Sequence, residues 1–367
     1  MNISSNFDSG NIEFISQHDN IFQLNLRRDS HAKYAQWFYF AVTGQAGKPS
    51  QFQIMNAGES SYPDAWATSK ALMSYDRKHW VRVPTRYEDQ RLIIEHTPKH
   101  NLVYYAYFTP YSYEDYLNWL SNLQMQCSVN FLTHTLDGRM MHWLQIGDAA
   151  PHKKKCWFIA RQHAGEAMAS WFIEGLLEKL LKDKEALTKD AVFYIVPLMN
   201  PDGVARGHLR ANAHGLDLNR QWKNPDPKFC PEVFMTRQKM HEIGVDFFMD
   251  VHGDEVLPYV FLANSRDNLQ HTERQKKLED AYCEALLQAS PEFQTQYGYE
   301  KSQFSESTPT LACNYISEHF QCLSFTLEMP FIDNANLPDA KEGWSPARSR
   351  KFAEATLAAL TAVLPSL

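Results

Sequence analysis

Several features that would point to particular classes of protein are scarce in this chain. No stretch approaches 18 consecutive apolar residues, so nothing in it reads as a transmembrane helix. Basic residues do not dominate. The 36 Lys and Arg against 43 Asp and Glu leave a formal charge of −7, which gives no support to a nucleic-acid partner. The basic run Lys153–Lys154–Lys155 is too short to change that and suits a solvated face. Cysteine is sparse as well. Cys127, Cys156, Cys230, Cys283, Cys313 and Cys322 stand far apart with no CxxC grouping, which argues against a disulfide framework and makes buried thiols the expectation. The opening residues Met1–Asp8 have neither the basic nor the apolar segment of a secretory signal, and cytosolic residence is expected. Internal repeats and low-complexity tails are missing too.

What is present is enough apolar material for a large core. With 44% hydrophobic residues over 367 positions, two domains are expected. Up to about Phe108 the chain reads as short strands. Ile21–Arg27 alternates, with Phe22, Leu24 and Leu26 on one face, and strand-like runs follow at Trp37–Val42, Gln51–Met55, Trp80–Val83 and Leu102–Phe108. Turn-rich pieces separate them, as in an antiparallel β-sandwich. The aromatic pairs Trp37/Tyr39 and Tyr105/Tyr107 are read as sandwich packing rather than as a ligand platform. After Pro110 the pattern changes. Ser112 is a candidate N-cap for a helix opening at Tyr113. From Cys156 onward, strand-like runs alternate with helical ones, which predicts an α/β sheet with helices on its faces. The boundary is placed between residues 115 and 116, giving an N-terminal unit 1–115 and an α/β unit 116–367.

Five segments carry possible chemistry. His163–Ala164–Gly165–Glu166 follows the strand-like Cys156–Ala160, at a βα junction where ligands collect. A bare HxxE spacing is a weak signal. It gains weight from His252, which closes another apolar run, because two imidazoles and a carboxylate can hold Zn²⁺ with a fourth position open. Asn200–Pro201–Asp202–Gly203 reads as a turn after a strand. Gly215–Leu216–Asp217–Leu218–Asn219–Arg220 offers an amide and a guanidinium that can grip an anion. Glu328 ends the apolar strand Cys322–Leu327 and is costly to bury there unless paired or used as a general base.

In order and spacing these segments resemble the zinc metallocarboxypeptidases of the M14 family, and within them the cytosolic carboxypeptidase subgroup. The segment Phe108–Thr109–Pro110–Tyr111–Ser112–Tyr113 resembles the one such proteins carry between an N-terminal β-sandwich and a mixed-sheet catalytic domain. The resemblance implies one Zn²⁺ per chain, on His163, Glu166 and His252, with Asp217 supporting the first histidine. It further implies Arg210 against the scissile carbonyl, Asn219 and Arg220 on the substrate's terminal carboxylate, and Glu328 as catalytic glutamate. For the mobile tyrosine over the terminal residue Tyr315 is the first candidate, with Tyr297 and Tyr299 competing. The subgroup is associated with removal of acidic residues, especially glutamate. That calls for a basic side chain in the specificity pocket, for which Arg266 and Lys301 are candidates, whereas the local Asp254–Glu255 is acidic.

The implied partner is therefore a peptide or protein C-terminal tail, with neither nucleic acid nor membrane; the oligomeric state stays open. Two other readings compete. A zinc deacylase acting on N-acyl amino acids would need much the same groups. A silent zinc- or peptide-binding protein would have no use for Arg210 and Glu328.

Overall fold

The computed structural model describes residues 2–264, 271–300 and 310–367. Arg266 and Lys301 lie outside the described residues. The first hundred residues form two five-stranded sheets. One runs Asn2–Ser4, Tyr39–Thr43, Leu102–Ala106, Leu72–Ser74, Val81–Arg82; the other Glu13–His18, Ile21–Asn25, Ser50–Ile54, Arg91–His96, Thr85–Glu88. All pairings are antiparallel except Ile21–Asn25 with Ser50–Ile54, which is parallel. Phe22 and Leu24 are fully buried, as the alternation predicts, and Phe52 packs between Phe40 and Tyr105 at 5.8 and 4.9 Å. Each such side chain contributes roughly 1.5–3 kcal/mol through burial. Trp37, Tyr39, Tyr105 and Tyr107 are all buried, so the aromatic pairs are core and not a platform.

The chain then enters the helix Tyr113–Leu123. The Ser112 hydroxyl accepts from the Asp115 amide and Asp115 accepts from the Ser112 amide, a capping box worth about 1 kcal/mol. Beyond it lies a seven-stranded mixed sheet, ordered Ser128–His134, Met140–Ile146, Ala191–Val196, Lys154–Ala160, Phe247–Asp254, Leu323–Pro330, Phe261–Asn264. The middle four strands are mutually parallel and the outer pairings antiparallel. In Lys154–Ala160 successive side chains go to opposite faces. Cys156 and Phe158 join one core, which continues into the N-terminal sheets, while Trp157 and Ile159 join the other. Helices Ala167–Lys182, Glu273–Ala289 and Pro346–Val363 cover the first face; Pro231–Ile243 and Ala312–Phe320 cover the second. Among the described residues no helix is long and apolar enough to cross a membrane.

The topology places a crevice. The chain leaves Lys154–Ala160 for the neighbour on one side and later returns to pair Phe247–Asp254 on the other side. Between two strands whose connections depart in opposite directions, the loops splay apart beyond the carboxyl ends, and a ligand site opens there. His163 follows the first of these strands and His252 lies near the end of the second.

Candidate metal centre and active site

The His163 loop is shaped by its own sequence. Arg161 adopts φ 64°, which turns the chain sharply off the strand end. Its guanidinium, 1% exposed, donates to the Ala164 carbonyl from Nε at 3.0 Å and Nη2 at 2.7 Å, and to the Ser170 hydroxyl at 2.8 Å. Burial pulls the Arg161 pKa down to about 10, the cost of using a charged clamp on neutral acceptors. Gly165 is required: a Cβ there would lie 2.9 Å from the Leu209 carbonyl oxygen, which accepts the Gly165 amide at 2.6 Å. The helix starts only at Ala167, so His163 and Glu166 sit on a non-helical turn ahead of it.

The turn brings His163, Glu166 and His252 together, with ligand atoms all within 4.8 Å of one another. The two Nδ1 atoms face each other at 3.1 Å, and Glu166 spans them with Oε1 2.6 Å from His163 Nδ1 and Oε2 2.9 Å from His252 Nδ1. The outer nitrogens are held by carboxylates, His163 Nε2 by Asp217 at 3.1 Å and His252 Nε2 by Asp250 at 2.7 Å. With Nε2–H groups donating outward, both Nδ1 lone pairs point inward, an arrangement that asks for a cation. Ligands on a tetrahedral zinc with bonds near 2.0–2.1 Å stand roughly 3.3 Å apart, so these spacings fit one ion.

Electrostatics agrees. Burial opposes the charge on Glu166, yet His163 and His252 outweigh it and hold its carboxyl well below the usual range. Burial likewise opposes charge on His252, and Asp250 and Glu166 push its pKa well above the ordinary histidine value. That field favours positive charge at the cluster, whether proton or metal.

Glu328 stands opposite His252 in the parallel register of their strands. It is 5% exposed, and its Oε2 is buried with no hydrogen-bond partner among the described residues. Burial, reinforced by Glu166 and Asp254 against His252, raises its pKa well above the usual carboxylate range. The Tyr299 hydroxyl lies 2.9 Å from both Glu328 Oε1 and Asp254 Oδ2. A phenol has one proton to give, so the two carboxylates share a single donor.

On the opposite side, Arg210 donates from Nε to Asp217 Oδ2 at 2.7 Å and from Nη1 to the Tyr62 hydroxyl at 3.1 Å. Burial works against its charge, but Asp217 and Tyr62 hold its pKa well above the ordinary arginine value. Asn219 accepts the Ala312 amide at 2.9 Å, and Arg220 Nη1 donates to the Asn219 carbonyl at 3.0 Å. Arg210, Tyr62, Asn219 and Arg220 line one cavity of about 960 Å³ together with the His163–Glu166–His252 cluster and Glu328.

Tyr315 does not. Its hydroxyl is 2.8 Å from His241 Nε2, and its ring packs by Trp222 and under Arg237. It sits on the helix Ala312–Phe320, where each residue turns about 100° from the last. Cys313 and Asn314 face the cavity, and Tyr315 has turned away. Of the competing tyrosines Tyr299 reaches Glu328, while Tyr297 lines the cavity stacked on Tyr259 at 4.4 Å. Asn200–Pro201–Asp202–Gly203, read as a turn, opens the helix Pro201–Arg206 with Asn200 as cap. The Asn200 amide also donates to the Gln162 and Arg210 carbonyls, tying the two catalytic-side loops together.

Sequence reasoning missed Asp250, Gln162 and Tyr62. Asp250 was findable: two residues before His252 on a strand, it shares that face. Gln162 donates to Asp250 Oδ2 at 2.6 Å and accepts from Trp222 Nε1 at 2.9 Å, which locks the Asp250–His252 contact from behind.

A mixed α/β sheet with a buried His–Glu–His cluster and an adjacent buried glutamate defines the class, a metal-dependent hydrolase. Residues 116–349 match the family profile described as zinc carboxypeptidase, and residues 3–108 match the one described as cytosolic carboxypeptidase N-terminal domain. The chain belongs to the zinc carboxypeptidase family and is a metallocarboxypeptidase with the N-terminal domain of the cytosolic subgroup. Among solved structures, a Shewanella denitrificans protein provisionally assigned as a carboxypeptidase A is 48% identical, with TM-score 0.97 over 100% of this chain and 99% of that one. A Pseudomonas aeruginosa metallo-carboxypeptidase, solved in complex with (2-guanidinoethylmercapto)succinic acid, is 38% identical with TM-score 0.94 over 100% of both chains. The cytosolic carboxypeptidase 1 of Gallus gallus is 28% identical over 74% of this chain, which spans only 27% of that protein.

Proposed function

We propose that this chain removes single residues from the free carboxyl end of peptides or protein tails, with one Zn²⁺ held by His163, Glu166 and His252. The observation that carries the reading is the strand register that sets Glu328 beside His252, with Oε2 unpartnered among the described residues and Glu328 lining the same cavity as the cluster. Zinc, when bound, lowers the pKa of water from about 16 towards 7 and polarises a carbonyl. Glu328 accepts the proton of the attacking water at Oε2 and later delivers it to the leaving amine. Arg210, its plane fixed by Asp217 and Tyr62, donates to the carbonyl oxygen as negative charge grows there. Asn219 and Arg220 donate to the substrate's terminal carboxylate, which restricts the enzyme to chain ends. Tyr299 takes the place first given to Tyr315 and covers the terminal residue from the Glu328 side.

The terminal side chain then meets Leu311, Cys313, Asn314 and Thr326. Among the described residues lining the cavity, Arg210 and Arg220 are the only lysine or arginine side chains. The acidic preference expected of the subgroup is therefore a separate proposal, read from the terminal residue. Zinc-loaded protein is offered peptides ending in Glu, Asp, Lys, Phe or Ala, alongside C-terminal amides and N-acyl amino acids. Release from free acids alone, lost by a factor of about 100–10,000 in Glu328→Gln, is the expected result. Cleavage of N-acyl amino acids with the peptides left intact would replace the reading by the deacylase one. Equal rates on Glu and Ala peptides would remove the acidic preference.

A further inference from the structure

Arg210 stands on a loop that the N-terminal sheets hold in place. The carboxylate of Asp29, 3% exposed, accepts three consecutive backbone amides from across the interface. Leu209 donates to Oδ1 at 2.7 Å, while Arg210 and Ala211 donate to Oδ2 at 2.8 and 2.7 Å. Such a row of amides forms a concave anion site, and here a side chain of the other unit fills it. Neighbouring hydrogen bonds cross the same interface in the opposite sense. The Ser30 amide donates to His208 Nε2 at 3.0 Å, and the Asn11 side chain donates to the Gly207 carbonyl at 2.7 Å. Gly207, at φ 70°, approaches so closely that a Cβ would lie 2.5 Å from the Gly10 carbonyl oxygen. At the far end of the side chain, Tyr62 accepts from Arg210 Nη1 and the Tyr34 ring lies 5.7 Å from the guanidinium carbon.

We infer that the N-terminal unit is a working part of the catalytic site, with Asp29 the positioning residue that aims Arg210. Only a carboxylate offers enough acceptor positions for three buried amides at once. An asparagine would set its own N–H₂ against one of them, and the loop would have to shift. A displacement near 1 Å at a group that meets developing charge costs turnover rather than binding. Asp29 never touches the substrate and acts through Arg210, so the inference rests on the role proposed above for that arginine.

The test is a double-mutant cycle on the full zinc-loaded chain, comparing native protein, Asp29→Asn, Arg210→Ala and the pair. Asp29→Asn is expected to lower kcat roughly ten- to hundredfold with little change in KM or zinc content. In the Arg210→Ala background the same substitution should cost almost nothing further, because its target is gone. A purely structural Asp29 would cost the same factor in both backgrounds, and that result, or a normal kcat for Asp29→Asn, overturns the inference alone. A normal kcat for Arg210→Ala would instead sink the role given to the arginine, and this inference with it. Should Asp29→Asn not fold, Tyr62→Phe enters the same cycle. A several-fold loss that vanishes without Arg210 supports the inference, and an undiminished loss, or none, overturns it.

Discussion

On one side of the cavity the working groups stand on or beside strand ends; on the other they stand on a loop held from a distance. His252 and Glu328 belong to adjacent hydrogen-bonded strands, and His163 follows the next strand over. Their spacing is set by the sheet itself, and Asp250, Glu166 and Asp217 lock the imidazoles against it. Arg210, Asn219 and Arg220 lie in a stretch with little regular structure, fixed by Asp217 from below and by Asp29 and Tyr62 from the N-terminal unit. One wall owes its geometry to secondary structure and the other to packing between two parts of the chain. The two should fail differently: damage to the first removes the metal, and damage to the second leaves the metal in place and spoils the handling of substrate.

Breaking the strand-built wall has the largest effect. His163→Ala removes one of three ligands and takes one partner each from Glu166 and Asp217. Zinc content after dialysis should fall below one equivalent, and peptide turnover should drop at least roughly a thousandfold, as several kcal/mol of charge stabilisation go with the ion. Retention of a full equivalent of tightly held zinc would show that the cluster is not the site.

Breaking the loop-built wall is milder and sharpens the contrast. The Arg220 side chain is 42% exposed; it donates to the Asn219 carbonyl and stands a loose 3.9 Å from Asp217 Oδ2, so Arg220→Ala should leave both stability and zinc content near native. A charge-assisted hydrogen bond to the substrate is worth about 1.5–3 kcal/mol, so kcat/KM for free-acid peptides should fall roughly ten- to hundredfold, mostly through KM. Peptide amides, which gain nothing from the arginine, should stay uncleaved by the native protein and the variant alike. A loss of zinc in this variant would mean that the two walls are not independent.

The same contrast explains what could be read from the residues. His163, His252 and Glu328 stand at or just beyond the ends of apolar strands and Glu166 directly ahead of an apolar helix, so local pattern and function coincide. The helix at Tyr113 carries its start signal in Ser112. Legibility ended where placement depends on distant partners. Tyr62 comes from a short turn about 150 residues before the arginine it meets, with no local mark of that role. Glu13–His18 escaped notice because this edge strand is exposed along almost its whole length and shows no alternation. The hairpin Ser128–His134 and Met140–Ile146 breaks its alternation with a bulge near Phe131. Tyr315 follows the cavity-lining Cys313 and Asn314 directly in sequence, and helix rotation carries it to the core on the other face of the sheet.

The smallest effect on activity comes with a distinct effect on stability, beneath the loop-built wall. Glu232 opens the helix Pro231–Ile243, is fully buried, and has both carboxylate oxygens without a hydrogen-bond partner among the described residues. Burial, aided by the nearby Asp202, pushes its pKa up to about 8 from an ordinary value of 4.5. Below that ordinary value the group is neutral in both the folded and the unfolded chain and costs nothing. Between it and the folded value the native state keeps a proton that the unfolded state releases, so stability falls as pH rises through this window. Glu232→Gln removes the titration. Its melting temperature should exceed that of the native protein by a margin that grows from pH 5 to pH 8, where the difference is on the order of a few kcal/mol. Zinc content and peptide turnover at 25 °C should stay within about twofold, because Glu232 does not line the cavity. Melting curves that run parallel across the pH range would show that Glu232 finds a partner in solution, and that the loop-built wall rests on a firmer base than its buried acid implies.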